Sequence, residues 1–249
     1  MRPRYALILA FCLTSVLAAS SALAGPKPFG EMEPIQPESI QRLNVLGAES
    51  VQAACTIGVT GAPAFLFNYL LPPNDAYYTR ISSSDCTACT GPGGIEVLSA
   101  NILLNYRAVC AFPVRIAIVA ATGPPGCRVP DPTTLLSAPL IYNLTPAAIG
   151  NWNFSMPLPV GTCVAGDAFI EITFLANATG CATSATIPRL ITTASCNPCQ
   201  QYNIYPGGND EWCSVAPPGN FIVTADVNCC SVVPTLPKSW GQLRIMYGS

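Results

Sequence analysis

Two stretches decide the fold: Val114-Arg-Ile-Ala-Ile-Val-Ala120 and Ala168-Phe-Ile-Glu-Ile-Thr-Phe-Leu175. In the first, Val114, Ile116 and Ile118 fall on one side of an extended chain, opposite Arg115. In the second, Ile170, Ile172 and Phe174 share a side, and Phe169 and Glu171 take the other. A two-residue period marks a strand with one face on a core, because successive side chains leave a pleated strand in opposite directions. Working outward, short segments of strand character recur at 64–71, 76–81, 95–106, 136–142, 152–156, 190–193, 221–227 and 243–247. Turn chemistry falls between them, at Pro72-Pro-Asn-Asp75, Gly91-Pro-Gly-Gly94, Gly123-Pro-Pro-Gly126 and Pro206-Gly-Gly-Asn209. Many short strands at regular turn spacing predict an all-β fold, an antiparallel β-sandwich or jelly roll.

Composition agrees. The 249 residues include 25 prolines and 19 glycines, which disfavour long helices. Charged residues are only 10% against a usual ~25%, and apolar residues are 50%, so the chain is neither a solvated bundle nor an acidic disordered polymer. There is no histidine, which removes Ser-His-Asp and Cys-His nucleophiles, histidine metal sites and histidine pH switches.

Arg2 and Arg4, an apolar stretch over 5–18 and Ser20-Ser-Ala-Leu-Ala-Gly25 read as a signal peptide cleaved after Ala24. The apolar stretch is shorter than the roughly 20 residues that span a bilayer. Phe11 before Cys12 is too large for lipoprotein processing. The predicted organisation is a signal peptide at 1–24, a flexible Pro-rich leader at 25–50 with a short helix near 39–46, and a disulfide-rich β-sandwich domain at 51–238. A C-terminal tail or closing strand follows at 239–249, where Leu243, Ile245 and Tyr247 alternate with Arg244 and Met246. No transmembrane helix is expected after cleavage. The mature lysines are only Lys27 and Lys238 and the arginines are scattered, so the clustered cations that bind nucleic acid are missing.

Setting aside Cys12 leaves an even set: Cys55, Cys86, Cys89, Cys110, Cys127, Cys163, Cys181, Cys196, Cys199, Cys213, Cys229 and Cys230. In an exported chain this reads as a disulfide framework whose pairing spacing alone does not give. Cys86-x-x-Cys89 with Cys196-x-x-Cys199 could instead hold zinc through four thiolates, or one pair could be a redox motif. The oxidising compartment favours half-cystines, and Pro198 and Gly91-Pro-Gly-Gly94 do not suit a redox helix. For Cys229-Cys230, two separate partners are expected, because adjacent strand residues point to opposite faces.

Without histidine, paired carboxylates are the remaining hydrolytic chemistry. Asp167 and Glu171 would sit about 13 Å apart along one strand, too far for such a pair. Asp210 and Glu211 are adjacent in a turn. The chain is therefore expected not to be an enzyme, with a carboxylate-dependent hydrolase as the outlying alternative. Hard oxygen ligands at Asn74, Asp75, Asn209, Asp210 and Glu211 suggest a calcium site, and no other cofactor is expected. Trp152, Trp212, Trp240, Tyr77 and Tyr78 could stack on sugar rings, though burial in a core is the commoner fate of such residues, and Trp212 beside Cys213 reads as packing against a disulfide. Tyr202 and Tyr205 fall in loop-rich sequence and read as exposed platforms for a sugar ring. Asn143, Asn153 and Asn177 open glycosylation sequons.

The order Cys86-Thr-Ala-Cys89, Pro113-Val-Arg-Ile-Ala-Ile, Cys127-Arg-Val-Pro-Asp, Gly166-Asp-Ala-Phe-Ile-Glu-Ile-Thr-Phe174, Cys196-Asn-Pro-Cys199 and Cys229-Cys230 resembles cysteine-rich exported β-proteins of uncharacterised bacterial families. The ending Ser239-Trp-Gly-Gln-Leu-Arg-Ile-Met-Tyr247 is similar to short Trp-Gly tails on such proteins. The resemblance runs from about Asp75 to the C-terminus and implies export and β-architecture, with no site. The expectation is a non-catalytic structural or adhesive protein, secreted or held at the cell surface or in the periplasm. The alternative is a carbohydrate-binding jelly-roll module using loop aromatics and calcium. Partners would be cell-surface components or glycans.

Overall fold

The computed structural model describes residues 32–35, 40–44, 52–67, 71, 73–89, 91–159, 161–175, 180–183, 185–215 and 219–230. The predicted signal peptide, the tail at 239–249, Trp240, Lys27, Lys238 and Asn177 lie outside them. The strands form two packed sheets, and the chain is an all-β sandwich stapled by disulfides. One sheet has nine strands among the described residues: β1 (Met32–Pro34), β2 (Gln41–Asn44), β3 (Cys55–Gly58), β4 (Phe65–Phe67), β6 (Ile95–Tyr106), β10 (Gly150–Pro157), β11 (Cys163–Val164), β13 (Arg189–Thr192) and β16 (Val223–Cys229). The other has seven: β5 (Ala76–Ser82), β7 (Phe112–Thr122), β8 (Val129–Leu135), β9 (Leu140–Leu144), β12 (Asp167–Phe174), β14 (Gln201–Tyr205) and β15 (Gly208–Glu211).

In the first sheet β6 is the spine. It pairs β13 and β16 on one side and β10 and β11 on the other. Its register with β16 shifts between Asp226 and Val227, so Ser99 opposes Asp226 while Val97 opposes Val227. The extra residue at that bulge reverses the alternation. Ile95 and Val97 below it, and Ala100, Ile102, Leu104 and Tyr106 above it, therefore all belong to the one core. On the far face of this sheet, Asp226 accepts hydrogen bonds from Thr56 at 2.7 Å, Asn101 at 3.1 Å and Ser99 at 3.2 Å.

The second sheet runs β15-β14-β5-β12-β7-β8, with β9 also on β7. Its inward faces follow the predicted alternation: Val114, Ile116, Ile118, Ile170, Ile172 and Phe174 are all buried in the core between the sheets. Rings from both sheets meet edge to face there. Tyr77 packs on Phe174 and Phe221 at centroid distances of 5.4 and 5.3 Å, and Trp212 on Phe221 and Phe67 at 5.2 and 5.7 Å. Such pairs add about 0.5–1.5 kcal/mol each beyond the area they bury. Trp212 is held by its Nε1, which donates to Gly219 O at 3.0 Å. A Cβ at Gly219 would stand 1.9 Å from the Thr193 carbonyl oxygen, so no other residue fits without moving backbone.

Several expectations are corrected. Within the segment read as a flexible leader, Met32–Pro34 and Gln41–Asn44 are strands of the first sheet. β1 pairs β4, and Glu33 accepts from Arg189 Nη1 at 2.6 Å. Instead of a helix near 39–46, β2 lies parallel to β10, and Leu43 packs on the core. The open edges of β4 and β10 offer unpaired N–H and C=O groups, and pairing outweighs the local helical pattern. β8, Val-Pro-Asp-Pro-Thr-Thr-Leu, is hidden in the sequence by its prolines, which a sheet tolerates only at an edge. β14 and β15 replace the loop expected around Tyr202 and Tyr205.

The twelve cysteines from Cys55 to Cys230 are all disulfide-bonded, as expected. The pairs are Cys55–Cys86, Cys89–Cys229, Cys110–Cys181, Cys127–Cys199, Cys163–Cys230 and Cys196–Cys213. Neither Cys-x-x-Cys pair closes on itself or on the other, and Cys229 and Cys230 take separate partners. Thiol–disulfide exchange needs access to a sulfur. Cys163 is exposed, whereas Cys86 and Cys181 are buried. Partial reduction followed by differential alkylation should open Cys163–Cys230 before Cys55–Cys86 and Cys110–Cys181. The order of labelling in a peptide map checks this.

Candidate functional site

The outer face of the seven-stranded sheet carries what the inner face excludes. Register places Arg115 of β7 opposite Thr173 of β12, and Glu171 opposite Tyr78 of β5. All four leave the sheet away from the core because each alternates with a core residue. Glu171 is only 1% exposed. An isolated carboxylate there would cost several kcal/mol in lost hydration. Here it is saturated: Arg115 Nη2 and Thr173 Oγ1, the latter at 2.9 Å, both donate to Oε1, and the Tyr78 hydroxyl donates as well. Arg115 Nη2 also reaches Thr173 Oγ1 at 3.4 Å. Burial, reinforced by the Glu171 charge, pushes the Tyr78 phenol well above its ordinary range, and Arg115 opposes the shift.

The two ends of this face differ. At one, Phe169, Val119 and Tyr202 form a satellite apolar cluster on which Val129 and Ala121 pack. The Cys127–Cys199 bridge ties the β7–β8 loop to the start of β14 there. Asp167 receives Arg80 at 3.2 Å and Arg128 at 3.8 Å. At the other end the face opens into a depression of about 460 Å3 whose lining includes Asn74, Tyr78, Arg115, Thr173, Ile204 and Tyr205. The side chain of Arg115 is 40% exposed, while its partner Glu171 lies sealed at 1%.

The predicted site residues divide. Tyr205 is half-buried and lines the depression, and its hydroxyl donates to Asp210 Oδ2 at 2.8 Å. That bond, together with partial burial and the nearby acids, raises the Tyr205 phenol above its usual value. Tyr202 corrects the expectation of an exposed platform: it is 3% exposed, with its ring edge-on to Phe169 at 5.7 Å. The β7–β8 loop, tied down by Cys127–Cys199, covers it, with Cys127 Sγ 3.6 Å from the Tyr202 hydroxyl. Of the calcium set, Asn74 lines the depression with a left-handed φ of 68°, but Asp75 is buried. Glu211 is engaged by the backbone N–H groups of Cys199 at 3.0 Å and Ser214 at 2.7 Å. Asn209 is exposed on the edge strand β15. Among the described residues no three His, Cys, Asp or Glu converge as metal ligands, so Asp75, Asp210 and Glu211 do not form one ligand set. The physical reason is that β14 stands between β5 and β15 and separates the two acidic turns.

Sequence reasoning put Arg115 and Glu171 off the core face without pairing them. The available signal was one cation and one acid, each set among apolar residues in the stretches 114–120 and 168–175 of a chain that is 10% charged. Which strands lie side by side supplied the rest.

No family model matches the chain, and no curated protein matches it. Among solved structures it is similar to the cysteine protease and lectin-like domains of Cwp84, a surface layer associated protein of Clostridium difficile. The likeness is at 11% identity and TM-score 0.46, over 67% of this chain and 33% of that one. The chain thus spans 33% of the length of that structure. The class that the chain's fold defines is a disulfide-stapled β-sandwich with an open depression on one outer face.

Two outcomes follow from the buried pair. Arg115→Ala strands the Glu171 carboxylate and should destabilise the fold by about 2–3 kcal/mol, below the cost for a fully buried pair because Arg115 is partly exposed. Arg115→Leu with Glu171→Leu should recover most of that loss, read by urea denaturation of the three variants. Burial likewise raises the phenol of Tyr106. A raised folded pKa means the neutral phenol is favoured by folding, so this stability is complete below about pH 10 and declines as pH rises above it. Absorbance titration should show Tyr78 and Tyr106 ionising only with unfolding, and Tyr78→Phe should weaken the alkaline dependence.

Proposed function

We propose that the chain is an exported, non-catalytic module of the cell surface, structural or adhesive in role. The observation that supports this best is the disulfide set. Six bridges in a charge-poor sandwich are the chemistry of an oxidising compartment, where each contributes roughly 2–4 kcal/mol. A second observation favours contact with neighbours. The β8–β9 margin of the second sheet leaves Leu135, Leu136 and Ile141 at 48, 41 and 67% exposure, apolar area that a freely dissolved protein gains nothing by showing. Binding of glycans is the second reading, supported by the depression beside Arg115 and Tyr205.

Fractionation of the source cells tests the surface reading. The protein should appear outside the cytoplasm, begin at Gly25, and weigh about two daltons less per bridge than its reduced form. Leu136→Asp should leave the melting temperature within about 2 °C, as surface substitutions do, while lowering the surface-retained fraction. Recovery from the cytoplasm with free thiols would sink the proposal.

A further inference from the structure

We infer that the depression on the outer face of the seven-stranded sheet binds a neutral saccharide, with Arg115 and Tyr205 as its contact residues. Charge comes first. The guanidinium of Arg115 and the carboxylate of Glu171 cancel, and the carboxylate is sealed beneath its three donors. An anionic ligand would meet a cation already neutralised, and a cationic ligand would meet no accessible acid at that pair. The guanidinium nonetheless keeps hydrogen-bonding capacity. Arginine carries five N–H donors in a rigid plane, and only Nη2 is engaged by Glu171 and Thr173. Its Nε is buried and faces away from any ligand, whereas Nη1 makes no hydrogen bond to a described residue and belongs to a side chain that is 40% exposed. A donor set held in one orientation loses little further side-chain entropy on binding. What it fits is an uncharged oxygen, such as a hydroxyl.

The rest of the lining completes that chemistry. Leu175, Ile204 and Pro206 supply apolar walls, Asn74 and Thr173 supply polar groups, and the half-buried Tyr205 adds an aromatic ring. Few small molecules need both an apolar face and a fringe of neutral hydroxyls; a pyranose ring has both. The small side chain of Ala76 at the floor leaves room, and about 460 Å3 lies within the roughly 300–1,000 Å3 of ligand sites. A lipid chain would have to desolvate the exposed guanidinium, which disfavours it. The inference deepens the glycan reading and does not depend on the surface one: export is read by fractionation and mass, and this site by binding alone.

A glycan array bearing neutral, carboxylated and sulfated saccharides, followed by calorimetric titration with the strongest neutral binder, tests it. Neutral pyranose-terminated glycans should bind, equally with calcium and with a chelator present. Arg115→Ala and Tyr205→Ala should each weaken binding at least tenfold, and Asp85→Asn, exposed beyond the end of β5 opposite Ala76, should not. Tyr205 lies outside the buried Arg115–Glu171 pair, so its variant keeps the test valid should Arg115→Ala fold poorly. No binding by the native chain, binding confined to carboxylated or sulfated glycans, or loss of binding on chelation would each overturn the inference. Neutral binding that survives in the Tyr205 variant and in folded Arg115→Ala would overturn this placement of the site.

Discussion

Everything in the sandwich hangs on the strand Ile95–Tyr106 and the single extra residue in its pairing with Val223–Cys229. A strand of twelve residues alternates strictly only if it is regular, and a regular strand would have sent half of this one's apolar residues to solvent. The bulge reverses the alternation midway, so Ile95, Val97, Ile102 and Leu104 all reach the same core. Four other strands take their register from this one. An error of one residue here would propagate through the whole first sheet.

Around that spine the disulfides do what charge does elsewhere. With few ion pairs available, the chain secures its loops covalently. Cys89–Cys229 and Cys163–Cys230 anchor the end of β16, and Cys196–Cys213 and Cys127–Cys199 flank the entry to β14. The same bridges shape the outer face of the second sheet. The loop tied by Cys127–Cys199 lies at the end holding the Phe169–Tyr202 cluster, and the Arg115–Glu171 end is left open. The depression marks the part of the sheet that is left uncovered.

The buried pair carries a stability consequence and, in the site we propose, a binding one. Glu171 has to be neutralised where it stands, and Arg115 does so while presenting part of its guanidinium to solvent. An ion pair that serves only stability is often replaceable by apolar residues of similar volume.

The class of architecture is legible in the chain alone. The alternation at 114–120 and 168–175, the turn clusters and the even cysteine set depend on neighbours along the chain, and each appears in the structure as read. Strands β8, β14 and β15 were not legible, because prolines and loop-like residues are tolerated at edges and turns for reasons that depend on the neighbouring strand. Likewise the burial of Tyr202, the docking of Gln41–Asn44 and the separation of Asp75 from Glu211 follow from which strand lies beside which. The pairing of Arg115 with Glu171, 56 residues apart, is of the same kind. Side-chain periodicity is a local property of the backbone, whereas strand order and register emerge only when the whole sandwich packs.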